Sequence, residues 1–404
     1  MAGPFTPVVQ QGPRRVVAAP SPAALFRRSE ALGAAIGGAL LASKTWDFEK
    51  ILGFGSYGVT VLLIAKDPLR IRKPRRAVLK WPLTPELFGT ADFLREANIL
   101  SDLRGHAHIG QLINYTDDVA KYRPRNRTAR GILKRVLETF KTPSESLFRR
   151  LGRSGDGSSP AMLLEYLENG TLAKVVEALY YNRFLTVPNR LLWAWYHCLV
   201  SACVAMTIKK EGREGGPLEL EQPRRDGTDH YRLSHRDIAG RNVMLGTMEP
   251  DVFGHLATPK LVMIDFGMAR QLPAGREKDS EDENLTEVNR LMLDLVDPRI
   301  LANNRGFYAM EWNGMVTMAA GLFNRRALPN LDPELRQLLA ESFLVEDSSD
   351  GGASIKPSLR ETFRRTREGM QKGRELYQNR INESDEYIKG FLQRLALDAR
   401  DPWP

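Results

Sequence analysis

The sequence predicts an α+β fold, with strands gathered in the first part of the chain and helices in the second. Three observations predict it. Strand-like runs at 46–52, 59–64, 76–81, 111–115 and 162–164 all come early in the chain. Helix-period apolar patterns dominate from 190 onward. Between them, a polar loop, His235-Arg236-Asp237-Ile238-Ala239-Gly240-Arg241-Asn242, is pinned between Leu233 and the apolar triplet Val243-Met244-Leu245.

At 404 residues and 42% hydrophobic composition, the chain is long enough for a large two-part domain with tails. No run of 18 apolar residues occurs, which excludes a membrane-spanning helix. Cys198 and Cys203 fall in one apparent helix and point to different faces. No disulfide framework follows, and an intracellular, cytoplasmic or nuclear setting is expected. The net charge of +9 is uneven, since residues 120–159 hold eleven Lys/Arg against three acids. Tyr122, Phe140 and Phe148 are too sparse there for a base-stacking platform, so nucleic acid is not an expected partner.

Taken in order, residues 1–45 are rich in Pro, Ala, Gly and Arg without a sustained period and read as a disordered basic leader. Trp46 to Leu52 alternates as a strand. Gly53-Phe54-Gly55-Ser56-Tyr57-Gly58 then leads into the β-branched run Val59-Thr60-Val61-Leu62-Leu63-Ile64. Glycines between two strands make a hairpin whose backbone amides can close over phosphates. A dinucleotide-binding turn would instead have to open a helix. Arg76 to Trp81 reads as a strand carrying Ala77 and Lys80. Asp92 to Arg104 reads as a helix whose apolar face holds Phe93, Ala97, Leu100 and Leu103, with Glu96 on that same face. A carboxylate there needs a cation, and Lys80 is the candidate.

After the strand at 111–115 comes the basic stretch about 120–159, expected to be an insertion outside the fold. Met162 to Gly170 reads as a strand followed by a turn. Residues 190–208, apolar nearly all round with Trp193, Trp195 and Leu199, predict a central buried helix. A polar insertion at 209–230 separates it from the loop at 233–245. Helices are expected near 284–296, 331–344 and 358–370, with a final amphipathic one carrying Ile388, Phe391, Leu392 and Leu395.

The chemistry concentrates in two short stretches. Asp237 can take or orient a proton, and Asn242, five positions on, can offer an oxygen to a hard cation such as Mg²⁺. Twenty-three residues after Asn242, the apolar run Leu261-Val262-Met263-Ile264 ends in Asp265-Phe266-Gly267, a carboxylate at the end of a strand.

The loop resembles the catalytic loop H-R-D-L-x-x-x-N of the protein kinase superfamily, with Ile238 for Leu as its only change, and Asp265-Phe266-Gly267 matches that family's metal triplet. The resemblance covers about residues 46–370 and implies a bilobal kinase-like fold. Its N-lobe would be small and β-rich with one helix (46–165), its C-lobe larger and mainly helical (166–370), and a helical extension would occupy 371–404. It also implies ATP with Mg²⁺ or Mn²⁺ as cofactors, and transfer of the γ-phosphoryl to a hydroxyl, on a protein substrate. By it, Lys80 holds the phosphates, Glu96 orients Lys80, Asn242 and Asp265 bind metal, Asp237 orients the acceptor and Arg241 offsets phosphoryl charge. Gly53, Gly55, Ser56, Gly58, Thr60 and Ala77 would line the nucleotide. Leu164 would guard the pocket's back, with Glu165 and Leu167 giving backbone contacts to the adenine.

The sequence departs from the family at the activation segment. Asn284 to Val296 matches the helix that follows A-P-E, without its leading Asp, Trp and Gly, so only Met268 to Glu283 separate the triplet from that helix. A competing alignment puts A-P-E at Ala309-Met310-Glu311. The acids around Ser280 (Asp279, Glu281, Asp282, Glu283) are expected to meet Arg236 directly. A kinase-fold scaffold that binds nucleotide without transferring phosphate is the alternative reading, motivated by the missing A-P-E.

Overall fold

Apolar and β-branched residues, densest from Val59 to Ile64, set up the first strands. β1 (Trp46–Gly55) pairs antiparallel with β2 (Gly58–Ala65), from Trp46 opposite Ala65 to Gly55 opposite Gly58. β2 pairs antiparallel with β3 (Arg76–Trp81), placing Thr60 opposite Lys80. Val59, Val61, Leu63, Ala77 and Leu79 are fully buried, as a packed sheet face requires. Arg76 clasps the Glu49 carboxylate through Nε and Nη2, both at 2.9 Å.

This computed structural model describes residues 46–55, 58–66, 75–82, 90–116, 160–182, 185–210, 217–223, 231–248, 255, 258–302, 306–324, 326, 328–345, 356–377 and 379–397, with nine more residues within 27–38. Ser56, the basic stretch 120–159 and most of the leader lie outside the described residues.

The chain is a mixed α+β protein dividing into two compact units: Met1–Phe93 with Thr116–Ala161, and Leu94–Tyr115 with Met162–Pro404. In the first unit, the described residues within 27–38 are helical, and Ser29 and Ile36 are buried. Gly33 sits so close to Ile51 that a Cβ there would lie 2.8 Å from its Cδ1, and Gly37 faces Phe48. Small residues four apart make a face that approaches a strand closely, which a search for large periodic apolar residues does not find.

Around the second unit's central helix, the elements follow largely as the sequence leads one to expect. The helix α1 (Thr90–Asp102) buries Phe93, Glu96, Ala97 and Leu100. The strands β4 (Leu112–Thr116) and β5 (Ala161–Glu165) are neighbours, and α2 (Leu172–Tyr181) follows. The spine is α3 (Asn189–Ala205), of whose residues only Arg190 and His197 are not buried. Its N-terminus is held by the buried Glu383, whose carboxylate accepts from the backbone of Asn189 (2.8 Å) and Arg190 (3.0 Å). An anion at the N-terminal end of a helix satisfies orphan N–H groups and the helix dipole together.

The second unit continues with β6 (Leu233–Ser234), β7 (Val243–Leu245), β8 (Leu261–Met263), β9 (Arg270–Gln271) and α4 (Glu277–Val296). A hairpin of β10 (Met310–Trp312) and β11 (Met315–Thr317) turns on Asn313 and Gly314, both at positive φ. Ala309-Met310-Glu311 thus runs into a strand, and the next α-helix begins only at Pro333. Then come α5 (Pro333–Ser342), α6 (Leu359–Leu376) and α7 (Asp385–Leu392). α6 crosses α3 where Gly369 meets the Trp193 indole, so closely that a Cβ would come within 2.4 Å. Ile388, Phe391 and Leu392 are buried on α7, as the amphipathic pattern predicts.

Two boundaries differ from the sequence expectation. α4 begins at Glu277, not near 284, so nine residues rather than sixteen follow Gly267 before the helix. Glu277 and Asp279 stand in its first turn, where the helix dipole favours acids. Ser280, 2% exposed, donates to the Glu277 carbonyl and opens a buried stripe with Asn284, Val288 and Leu291. The stretch at 209–230 also enters the fold in part, because Glu221 is buried and Glu219 pairs with backbone at Gly105 and Ala107.

Candidate active site

The loop from His235 to Asn242 is built between two short ladders. β6 pairs with β9, setting Ser234 opposite Arg270. β7 pairs with β8, setting Val243 opposite Met263 and Leu245 opposite Leu261. The second ladder is what brings the two metal candidates together. Its next rung is the Ile264 N–H, which donates to the Asn242 carbonyl at 2.9 Å, so Asp265 follows directly beside Asn242.

Within the loop, Asn242 is buried and its Nδ2 donates to Asp237 twice, to the backbone carbonyl at 2.9 Å and to carboxylate Oδ2 at 2.8 Å. The amide nitrogen is thereby committed, which leaves Oδ1 as the ligand end of that side chain. The other Asp237 oxygen, Oδ1, accepts from Arg241 in an i, i+4 ion pair. Arg241 was expected to face a transferring phosphoryl group; here it lies on the general-base candidate instead.

His235 is the post behind the loop. It is fully buried, its ring meets Phe266 edge to face at 4.7 Å, and its Nε2 lies 3.3 Å from the Ile264 carbonyl. Burial pushes its pKa down to about 4, despite the carbonyl and the nearby carboxylates, so the imidazole is neutral and its Nε2 donates. The imidazole thus ties the Asp237 loop to the Asp265 strand. Arg236 (φ 65°), next to Asp237, and Asp265 (φ 61°) occupy the left-handed region that non-glycine residues avoid. Such strain costs on the order of 1–3 kcal/mol per residue and gathers at functional sites.

α4 supports the loop through three side chains on one face. The Asn284 Oδ1 accepts from the His235 N–H at 2.9 Å, and its Nδ2 donates to the Leu233 carbonyl at 2.8 Å. Glu287 accepts from the Ile238 N–H at 3.0 Å, and its pKa is raised, chiefly by burial. Glu283 accepts from the Ser234 hydroxyl and lies 3.8 Å from Arg236. The expected meeting of Arg236 with native acids is therefore present, through Glu283, although the acids stand on a helix and not in a loop. An open groove lined by Arg236, Arg276, Asp279, Asp282, Glu283 and Glu287 runs alongside. Asn284 and Glu287 as loop anchors were not found from sequence. Their 3-residue spacing puts both on one face of the helix.

Elsewhere in the second unit, Glu96 is 2% exposed, as its place on the apolar helix face predicts. On the same helix, Arg95 donates to the Gly267 carbonyl at 3.4 Å, so α1 reaches the metal triplet through a residue that sequence reasoning passed over. Leu164, Glu165 and Leu167 are half-buried at the end of β5. The Glu165 N–H is already used by the Gln111 carbonyl (3.0 Å), and its carboxylate accepts from the Gln111 N–H (2.7 Å).

In the first unit, the glycine-rich stretch is a β-hairpin and opens no helix, which removes the dinucleotide-turn reading. Thr60 Oγ1 reaches across it to the Gly53 carbonyl at 3.1 Å. Gly58 has φ 150°, and a Cβ there would fall 2.3 Å from the Trp81 carbonyl oxygen. Ala77 is fully buried and Lys80 is 7% exposed on β3. No protein-family model and no curated protein matches this chain.

Proposed function

We propose that the chain is an ATP- and Mg²⁺-dependent phosphotransferase of the protein-kinase type, with a two-lobed kinase-like architecture and a hydroxyl acceptor on protein. The observation that carries this reading is the ladder that sets Asn242 beside Asp265, with the Asn242 amide fixed on Asp237. A carboxylate and an amide oxygen on adjoining strand ends form a hard-donor set that suits Mg²⁺, and both residues fit that role. When bound, the metal supplies charge neutralisation on the transferring phosphoryl group.

The side chains do the rest. Asp237 orients the acceptor hydroxyl and takes its proton through a carboxylate held in place by Asn242. Arg241 moves from Asp237 onto the phosphoryl when nucleotide is present. Lys80 holds the phosphates, Glu96 orients Lys80, and the hairpin amides at Gly53, Gly55 and Gly58 close over them. Each contribution is positional or electrostatic, so removal of one costs most of the rate.

Incubation of the whole chain with γ-labelled ATP, Mg²⁺ and pooled Ser, Thr and Tyr peptides tests the proposal. Label on peptides or on the chain itself is expected, and Asp237→Asn should remove it while nucleotide still binds. A nucleotide-binding scaffold is the second reading. It is favoured by the nine-residue stretch between Gly267 and α4, too short for a long substrate platform, and it predicts binding without label.

A further inference from the structure

Away from that loop, the second unit holds a buried cluster that the phosphotransfer reading does not use. Cys198 of α3, His108 after α1 and His255 between β7 and β8 are all buried, and their donor atoms lie within 4.8 Å of one another. Cys198 Sγ is 3.7 Å from His255 Nε2. A tetrahedral zinc with a thiolate at about 2.3 Å and an imidazole at about 2.05 Å spaces those two donors about 3.6 Å apart. His108 Nε2 is fully buried and has no hydrogen-bond partner among the described residues.

The groups behind the cluster match a metal's outer shell. His108 presents its other nitrogen, Nδ1, to the Glu221 carboxylate at 2.6 Å, and the second Glu221 oxygen accepts from the His108 backbone N–H at 2.9 Å. Glu221 is itself 3% exposed. A carboxylate on the far nitrogen fixes the tautomer and aims the near nitrogen at a metal. We propose that His108, Cys198 and His255 bind one Zn²⁺ ion, with Glu221 orienting His108, and that this site clamps the chain at Glu221 and at His255 onto the central helix.

The clamp explains an otherwise costly arrangement. A buried imidazole nitrogen without a partner destabilises the fold, and a metal removes that penalty. Glu221 belongs to the 209–230 stretch and His255 to the one between β7 and β8, so one ion fastens both to α3. Cys203, the other cysteine of α3, faces away and plays no part; burial pushes its thiol up, toward the inert protonated form. Soft sulfur with two imidazoles selects Zn²⁺ over Mg²⁺, so the site is chemically distinct from the oxygen donors Asn242 and Asp265.

Co²⁺ titration of the full-length, chelator-treated chain, purified without a metal-affinity tag, tests this. One equivalent should raise a thiolate-to-cobalt charge-transfer band with tetrahedral visible bands, and Zn²⁺ should bleach them stoichiometrically. Cys198→Ser should abolish the near-ultraviolet band, and Cys203→Ser should leave it intact. Glu221→Gln, which keeps all three donors, should weaken Co²⁺ binding about 10–100-fold and carries the comparison if Cys198→Ser does not fold. Absence of any band in the folded wild type, or an undiminished band in folded Cys198→Ser, would overturn the proposal. So would unchanged affinity in Glu221→Gln.

Discussion

Asn242 holds Asp237 by two hydrogen bonds from one amide nitrogen, to its backbone carbonyl at 2.9 Å and to its carboxylate at 2.8 Å. The acid that would accept a proton and the amide that would hold a metal are therefore one unit. Displacing either side chain displaces the other.

Asn242→Ala should reduce phosphoryl transfer about 10²–10⁴-fold, the range of a misplaced general base combined with a lost metal ligand. Asn242→Asp keeps an oxygen ligand but puts a second carboxylate against Asp237, so it should recover only part of the rate and prefer Mn²⁺. Steady-state kinetics with each metal reads both effects. Equal rates in wild type and Asn242→Ala would remove Asn242 from the site.

Asn284 satisfies two buried backbone groups of the loop, the His235 N–H and the Leu233 carbonyl. Asn284→Ala should cost about 2–4 kcal/mol in urea unfolding, since both groups lose their partner. Asn284→Asp restores acceptance from His235 but not donation to Leu233, and should lose less. A change within 0.5 kcal/mol for Asn284→Ala would mean that the loop does not depend on α4.

The His235 imidazole gives the fold a pH dependence of known sign. Its folded pKa, about 4, lies below the ordinary histidine value of 6.5, so the unfolded chain binds the proton more readily. Its contribution is fully present above about pH 6.5 and is lost as pH falls toward 4, on the order of 3 kcal/mol in all. His197, lowered to about 3 by burial, acts in the same direction. Unfolding of wild type and His235→Phe measured between pH 4 and 7 isolates the His235 part, and the stability gap between the two should narrow toward pH 4. Parallel curves would contradict the assignment.

Gly58→Ala should destabilise the glycine hairpin and weaken ATP binding. The added Cβ meets the Trp81 carbonyl oxygen at 2.3 Å, and backbone at φ 150° is strained for alanine. A loss of more than about 2 kcal/mol in thermal unfolding is expected. Gly53→Ala, whose Cβ has ordinary contact with Thr60 at 3.7 Å, serves as the mild comparison.

Much of this arrangement was legible in the chain, for a physical reason. Asp237, Asn242 and Asp265 lie in polar stretches next to short apolar runs, and apolar flanks around a polar loop are visible in one dimension. The buried side of α1 was visible too, because Glu96 interrupts an otherwise apolar stripe. The start of α4 was hidden, since Glu277 to Glu283 looks like a solvated acidic loop until the dipole and the buried Ser280 are considered. The His108, Cys198 and His255 cluster could not be read at all. Its members lie 90 and 57 residues apart, and no local spacing announces them. The helix within 27–38 escaped because its close contacts to Ile51 and Phe48 come from Gly33 and Gly37, which add no apolar period.

Calorimetric titration of ATP into the whole chain, with and without Mg²⁺, tests the central claim most directly when wild type is compared with Lys80→Ala and Asp265→Asn. The account predicts Mg²⁺-dependent binding in wild type, binding at least about tenfold weaker in Lys80→Ala, and loss of the Mg²⁺ dependence in Asp265→Asn. No binding of ATP to the folded wild type, or Mg²⁺-dependent binding unchanged in both variants, would contradict it.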